Sequence, residues 1–161
     1  MNMKKLLVIS GVSLAVPGLA SAAVDTDTFQ VTATVTAACS VSAGDLDFAS
    51  YDPASGTDDD ATSTISVTCT LLAPYQLKLD GGTAADTAAR VMSAGGGTDL
   101  SYQLYSDALR STVWGNTTAD DVEALGLGLL PRQHTVYGRI VAGQDVETGS
   151  YVDTVTVTLN F

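Results

Sequence analysis

Between Phe29 and Val41 the chain alternates side chains of opposite character without a break. Phe29, Val31, Ala33, Val35, Ala37, Cys39 and Val41 hold one parity; Thr28, Gln30, Thr32, Thr34, Thr36, Ala38 and Ser40 hold the other. A period of two is what an extended strand with one buried face requires. Thirteen residues at about 3.4 Å each reach roughly 44 Å, whereas a typical strand covers about 17–20 Å. No Gly or Pro lies between Phe29 and Val41 to turn the segment back on itself. The Phe29 end is therefore expected to project beyond the domain that holds Cys39. An ordinary first strand inside its own domain is the alternative, because strand length is a soft constraint.

The rest of the chain shares this period. Residues 62–71 place Ile65, Val67, Cys69 and Leu71 on one face, and Tyr75, Leu77 and Leu79 form the next inward set before an Asp80-Gly81-Gly82 turn. Leu100, Tyr102 and Leu104 make another. Residues 136–141 form a further strand, ended by a Gly143-Gln144-Asp145 turn. Residues 151–161 put Val155, Val157, Leu159 and Phe161 on one face and threonines on the other. No segment sustains a helical period; 118–125 and 84–89 are expected to hold a turn at most. Short alternating strands of this kind predict an all-β, immunoglobulin-like sandwich. The last strand finishes at Phe161; if it is a core strand and not an edge, its outer neighbour is expected to be missing from this polypeptide. Such a sandwich leaves unpaired backbone groups and an apolar groove. The projecting arm and the open groove complement each other if the arm of one copy adds a strand to the next. Burial of Phe29, Val31 and Val35 would contribute about 1.5–3 kcal/mol each. A head-to-tail contact of this kind does not close, and so builds a fibre.

Residues 1–22 have the pattern of a secretory leader: Lys4 and Lys5, an apolar stretch broken by Gly11, Pro17 and Gly18, then Ala20-Ser21-Ala22 as cleavage signature. The stretch is too short and too interrupted for a spanning helix, and no later apolar run is longer, so no insertion into a lipid membrane is expected. In an oxidising compartment Cys39 and Cys69 are expected to pair. That bond would stabilise the fold by roughly 3–4 kcal/mol. The formal charge of −11 becomes −13 on cleavage, since the leader carries two lysines and no acid. An acidic chain is a poor partner for nucleic acid or an anionic bilayer. A charged fraction of only 16% beside 45% apolar residues excludes a disordered acidic tail.

Chemistry-bearing residues are few. Asp58-Asp59-Asp60 lacks the Gly and distal Glu of a calcium loop and is expected to be a solvated loop. His134, after Pro131-Arg132-Gln133, is expected in a loop at the surface, without a nucleophile or carboxylate partner. Trp114 is expected to pack, though a ring beside Gly115 could also stack a sugar. Asp120, Asp121 and Glu123 supply no placed second acid for glycoside hydrolysis. The Asn116-Thr117-Thr118 sequon is read as a coincidence of a Thr-rich loop. No catalytic residue, metal site or cofactor is assigned, and an enzyme is not expected.

Several stretches together resemble the spore coat protein U-like family, which includes the pilin subunits of archaic (Csu-type) chaperone–usher pili. They are Thr36-Ala37-Ala38-Cys39-Ser40-Val41, Ile65-Ser66-Val67-Thr68-Cys69, Arg90-Val91-Met92, the run from Leu100 to Asp107, Trp114-Gly115, Val136-Tyr137-Gly138-Arg139-Ile140 and the terminal run from Gly149 to Phe161. The resemblance implies a leader at 1–22, a donor-strand arm at 23–35 and a pilin domain at 36–161 lacking its last strand. It implies Phe29, Val31, Ala33 and Val35 as donor side chains. Val155, Val157, Leu159 and Phe161 would line the acceptor groove and the chaperone-binding strand. The implied partners are identical or related subunits, a periplasmic chaperone and an outer-membrane usher. The implied role is a structural pilus subunit, assembled by donor-strand exchange at the cell surface and supporting attachment and biofilm. Ala49 departs from the family's Phe-Gly pair, leaving the strand after it unassigned. A self-contained secreted coat or matrix domain and, less favoured, a carbohydrate-binding tip adhesin are the rivals.

Overall fold

The computed structural model describes residues 22–161, so the expected leader, Ala22 apart, lies outside the described residues. The chain divides into two compact units after Thr34. The described part of the first unit, residues 22–34, contains no strand and is exposed throughout.

The second unit, Val35–Phe161, is all-β. Strand β1 (Cys39–Ala43) pairs antiparallel with β2 (Asp59–Cys69), which pairs with β8 (Arg132–Ile140), which pairs with β6 (Gln103–Tyr105). A second sheet has the order β7 (Val122–Leu125), β3 (Pro74–Leu79), β9 (Val157–Asn160). A short ribbon joins β4 (Val91–Met92) to β5 (Leu100–Ser101). The inward set Leu100, Tyr102 and Leu104 is shared by two strands: the chain leaves the ribbon at Ser101 and joins the four-stranded sheet at Gln103.

The core follows the alternation. Ile65, Val67 and Cys69 of β2, Tyr75, Leu77 and Leu79 of β3, and Val136 and Ile140 of β8 are buried together with Leu100, Tyr102 and Leu104. Trp114 is fully buried as expected, its indole N–H donating to the Leu77 carbonyl at 2.9 Å. The sheets do not close into a barrel: β1 and β9 each have one hydrogen-bonded neighbour among the described residues. The architecture is an open, incomplete immunoglobulin-like sandwich.

Several sequence expectations are corrected. Of the strand expected over 29–41, only the part from Cys39 onward forms a ladder. Leu71 is exposed, because the chain turns at Leu72, which has φ 59°. Residues 122–125 are strand β7, not part of a helical turn; Val122 and Ala124 pack inward, a period too short to recognise in four residues. Arg132, Gln133 and His134 belong to β8, with His134 opposite Ile65. His134 is half-buried, accepting or donating at 2.7 Å between its Nε2 and the Tyr75 hydroxyl, with the Tyr75 and Trp114 rings edge-on to it. Burial, and then the nearby Arg132, lower its pKa below the ordinary histidine value. Nor is the triple-aspartate segment a solvated loop: Asp59 and Asp60 open β2, and Asp60 receives a two-pronged Arg139 contact at 2.8 and 2.9 Å.

Candidate functional site

The site is the seam between the two sheet edges. Thr and Val alternate from Thr154 to Thr158; strand pairing begins at Val157, and Val155, Val157 and Leu159 are all half-buried. Pairing fixes the register of β9 on one side only: Leu79 lies opposite Val157, Leu77 opposite Leu159 and Gln76 opposite Asn160. Beside β9, β1 comes within 8 Å between Cα atoms, yet the two share no ladder. Val41 on β1 and Phe161 just after β9 are 37% and 61% exposed. Phe161, Pro74 and Leu125 also line a recess of about 620 Å³ at the end of the three-stranded sheet. Unpaired backbone beside an apolar stripe is the combination that accepts an added strand.

A polar clasp fixes the start of β9. The Asp153 carboxylate accepts from the Tyr102 hydroxyl at 2.6 Å and from the Thr83 amide and hydroxyl at 2.8 and 2.7 Å. Asp80 accepts from the Thr156 amide at 2.8 Å and the Gly82 amide at 3.0 Å. Burial alone would raise both carboxyls, but these donors outweigh it and hold both pKa values below the ordinary aspartate value. Gly82 has φ +58°, and a Cβ there would collide with the Asp153 carboxylate. Beneath the clasp lies Arg90, fully buried, donating to the carbonyls of Asp80, Leu79, Trp114 and Thr87 and to Gln103 Oε1. Sequence reasoning assigned no role to Arg90 or to the Tyr102–Asp153 pair. The signals available were a lone cation between Ala88-Ala89 and Val91-Met92 and the place of Arg90-Val91-Met92 among the stretches that resemble the family.

At the root of the seam, Cys39 and Cys69 are disulfide-bonded and stand opposite each other in the β1–β2 register. Just before it, Ala38 exchanges hydrogen bonds with Thr70: its amide donates to Thr70 Oγ1 at 3.0 Å and its carbonyl accepts from the Thr70 amide at 2.9 Å. Of the residues implicated by sequence, the fold brings the two cysteines together and aligns Val155, Val157 and Leu159. Phe29, Val31 and Val35 are 86%, 84% and 81% exposed, and Ala33 is exposed, all in a segment without strand pairing. Ala49, at the family's glycine position, has φ 60°, the left-handed conformation that glycine favours.

Comparison with known proteins points one way. Residues 25–158 match the model of the Spore Coat Protein U domain. The chain is 39% identical over 170 aligned positions to "Protein U" of Myxococcus xanthus, spanning 96% of this chain and 94% of that relative. Among solved structures it is similar, at TM-score 0.61 and 25% identity, to a chain of the CsuC–CsuE chaperone–tip adhesion subunit pre-assembly complex from archaic chaperone–usher Csu pili of Acinetobacter baumannii. That match covers 80% of this chain and 41% of the other, so this chain spans less than half the length of the solved one.

Proposed function

The chain belongs to the Spore Coat Protein U domain family, and on that premise we propose that it is the structural subunit of a surface fibre assembled by donor-strand exchange. Its pilus-subunit-like fold and its family make it a structural protein rather than an enzyme. The single observation that carries the proposal is the unpaired edge of β9 with its half-buried Val155, Val157 and Leu159 face, in a chain that also carries an exposed, alternating apolar segment. In the proposed joint, Phe29, Val31, Ala33 and Val35 of one copy enter the seam beside β9 of the next. Hydrogen bonding to the unpaired edge sets the register, and side chains of one parity fill the stripe. Before assembly a periplasmic chaperone would occupy the same edge, and an outer-membrane usher would exchange it for the arm. The product is a fibre outside the cell, serving attachment and biofilm.

Deleting residues 23–35 tests this. The trimmed chain should fold and bind its chaperone, whereas material sheared from producing cells should lose the ladder of multimers that collapses only on boiling. Retention of that ladder would falsify strand exchange through the arm. The match to the Spore Coat Protein U domain over residues 25–158 favours, as second reading, a self-contained coat protein. In that case the unsubstituted chain yields monomer alone.

A further inference from the structure

One end of the second unit carries an unusual concentration of uncovered leucine. The β2–β3 loop presents Leu71 and Leu72, and the β7–β8 loop presents Leu127, Leu129 and Leu130, all exposed. The two loops are clamped to each other: the Leu72 amide donates to the Gly126 carbonyl and the Gly126 amide to the Ala73 carbonyl, both at 2.9 Å. A Cβ on Gly126 would collide with the Thr70 carbonyl, so the close approach depends on glycine. Leu72 is held in the left-handed region at φ 59°, a conformation costly for a leucine and maintained here with its side chain outside the core. The leucine cap is thus a shaped surface, not a pair of loose loops.

Two observations identify what covers it. Residues 70–75 and 124–131 contain no charged side chain in a chain of formal charge −11. The charges flanking the second stretch are Glu123, whose carboxylate accepts from the Gln76 side chain, and Arg132, which donates to the Leu125 carbonyl. Copies of so acidic a chain repel over most of their surface, and this end is where they can meet without that penalty. The second observation is reach. Ala38, hydrogen-bonded to Thr70 beside Leu71, is where the arm leaves the domain. Only residues 36–38 separate Cys39 from Val35, a span of roughly 10 Å when extended. A neighbour that has taken Val35 into its seam is held against this end at high effective concentration.

We propose that the leucine cap is a second subunit–subunit contact, seated against the copy that receives this chain's arm. The inference rests on the strand-exchange reading and adds a rigid shoulder to what would otherwise be a joint carried by residues 36 and 37, which lie outside any strand. Both native cysteines are in the disulfide, so an introduced thiol is unique. Leu129→Cys and Leu109→Cys, at positions 97% and 86% exposed in the subunit, are made separately in the full chain. Sheared fibres are then labelled with a maleimide dye before boiling. Leu109 lies on the loop after β6, away from the cap. The expected result is a heat-labile ladder from both variants, with labelling at 129 slower than at 109 by about tenfold or more, as for a residue in a desolvated contact. A ladder with equal labelling rates overturns the cap contact while strand exchange stands, and leaves the leucines free to meet another surface. Absence of any ladder from the unsubstituted chain overturns both.

Discussion

With no exposed surface, Arg90 must find acceptors for its whole guanidinium inside the protein, and it does so on four backbone carbonyls and the Gln103 side chain. A buried cation is costly unless every donor is matched, and here the planar fork matches carbonyls arriving from three directions. Arg90→Met should destabilise the fold by about 3–5 kcal/mol, seen in denaturant unfolding, since several buried carbonyls lose their donor at once. Arg90→Lys should recover less than half of that, because an ammonium has three donors and no fork. Ala49 shows the opposite economy of means. It takes up the left-handed conformation without being glycine, because the Asp47 carboxylate accepts its amide at 2.7 Å and the Phe48 ring packs edge-on to Tyr102. The Gly-to-Ala departure left the following strand unassigned; in the fold no strand begins between Ala49 and Asp59.

At the level of elements, the start of β9 depends on two carboxylates from separate parts of the chain. Asp80 and Asp153 both have folded pKa values below their ordinary value, so their contribution to stability is present above about pH 4. It is lost as pH falls through the lower, folded values. Unfolding free energy measured from pH 5 down to pH 2 should fall steeply in the wild type, and Asp153→Asn should flatten that acid limb while lowering stability at neutral pH. The alternation made β2, β3 and the Leu100–Leu104 set legible in the sequence, because buried parity is a local property. It also marked the stripe on β9. What escaped were features set by partners distant in the chain. β7 has four residues, too few for a period to declare itself, and is a strand because β3 offers it a ladder. His134 looked like loop because Pro131 precedes it; β2 draws it into register from the far side. Asp58 and Asp60 resembled a solvated acid run because their partner Arg139 lies 79 positions beyond Asp60.

For the molecule as a whole, in the proposed fibre the acidic surface would govern how copies approach. A net charge of −11 with a charge-free leucine end predicts association that is slowed at low ionic strength and freed by screening. The Debye length shrinks from about 30 Å at 0.01 M to about 10 Å at 0.1 M salt, so growth of multimers followed by light scattering should accelerate across that range. Slower growth with added salt would show that attraction between opposite charges drives the contact instead. The Cys39–Cys69 bond gains a mechanical meaning in such an assembly. An edge strand tugged from its first residue ordinarily unzips one hydrogen bond at a time. Here the first residue of β1 is welded to the last residue of β2, a strand flanked on both sides, so tension on the tail bypasses β1 and passes covalently into the middle of the sheet. The weld works as the strain relief on a cable does: the cord can be pulled hard while the terminal inside feels none of the peel.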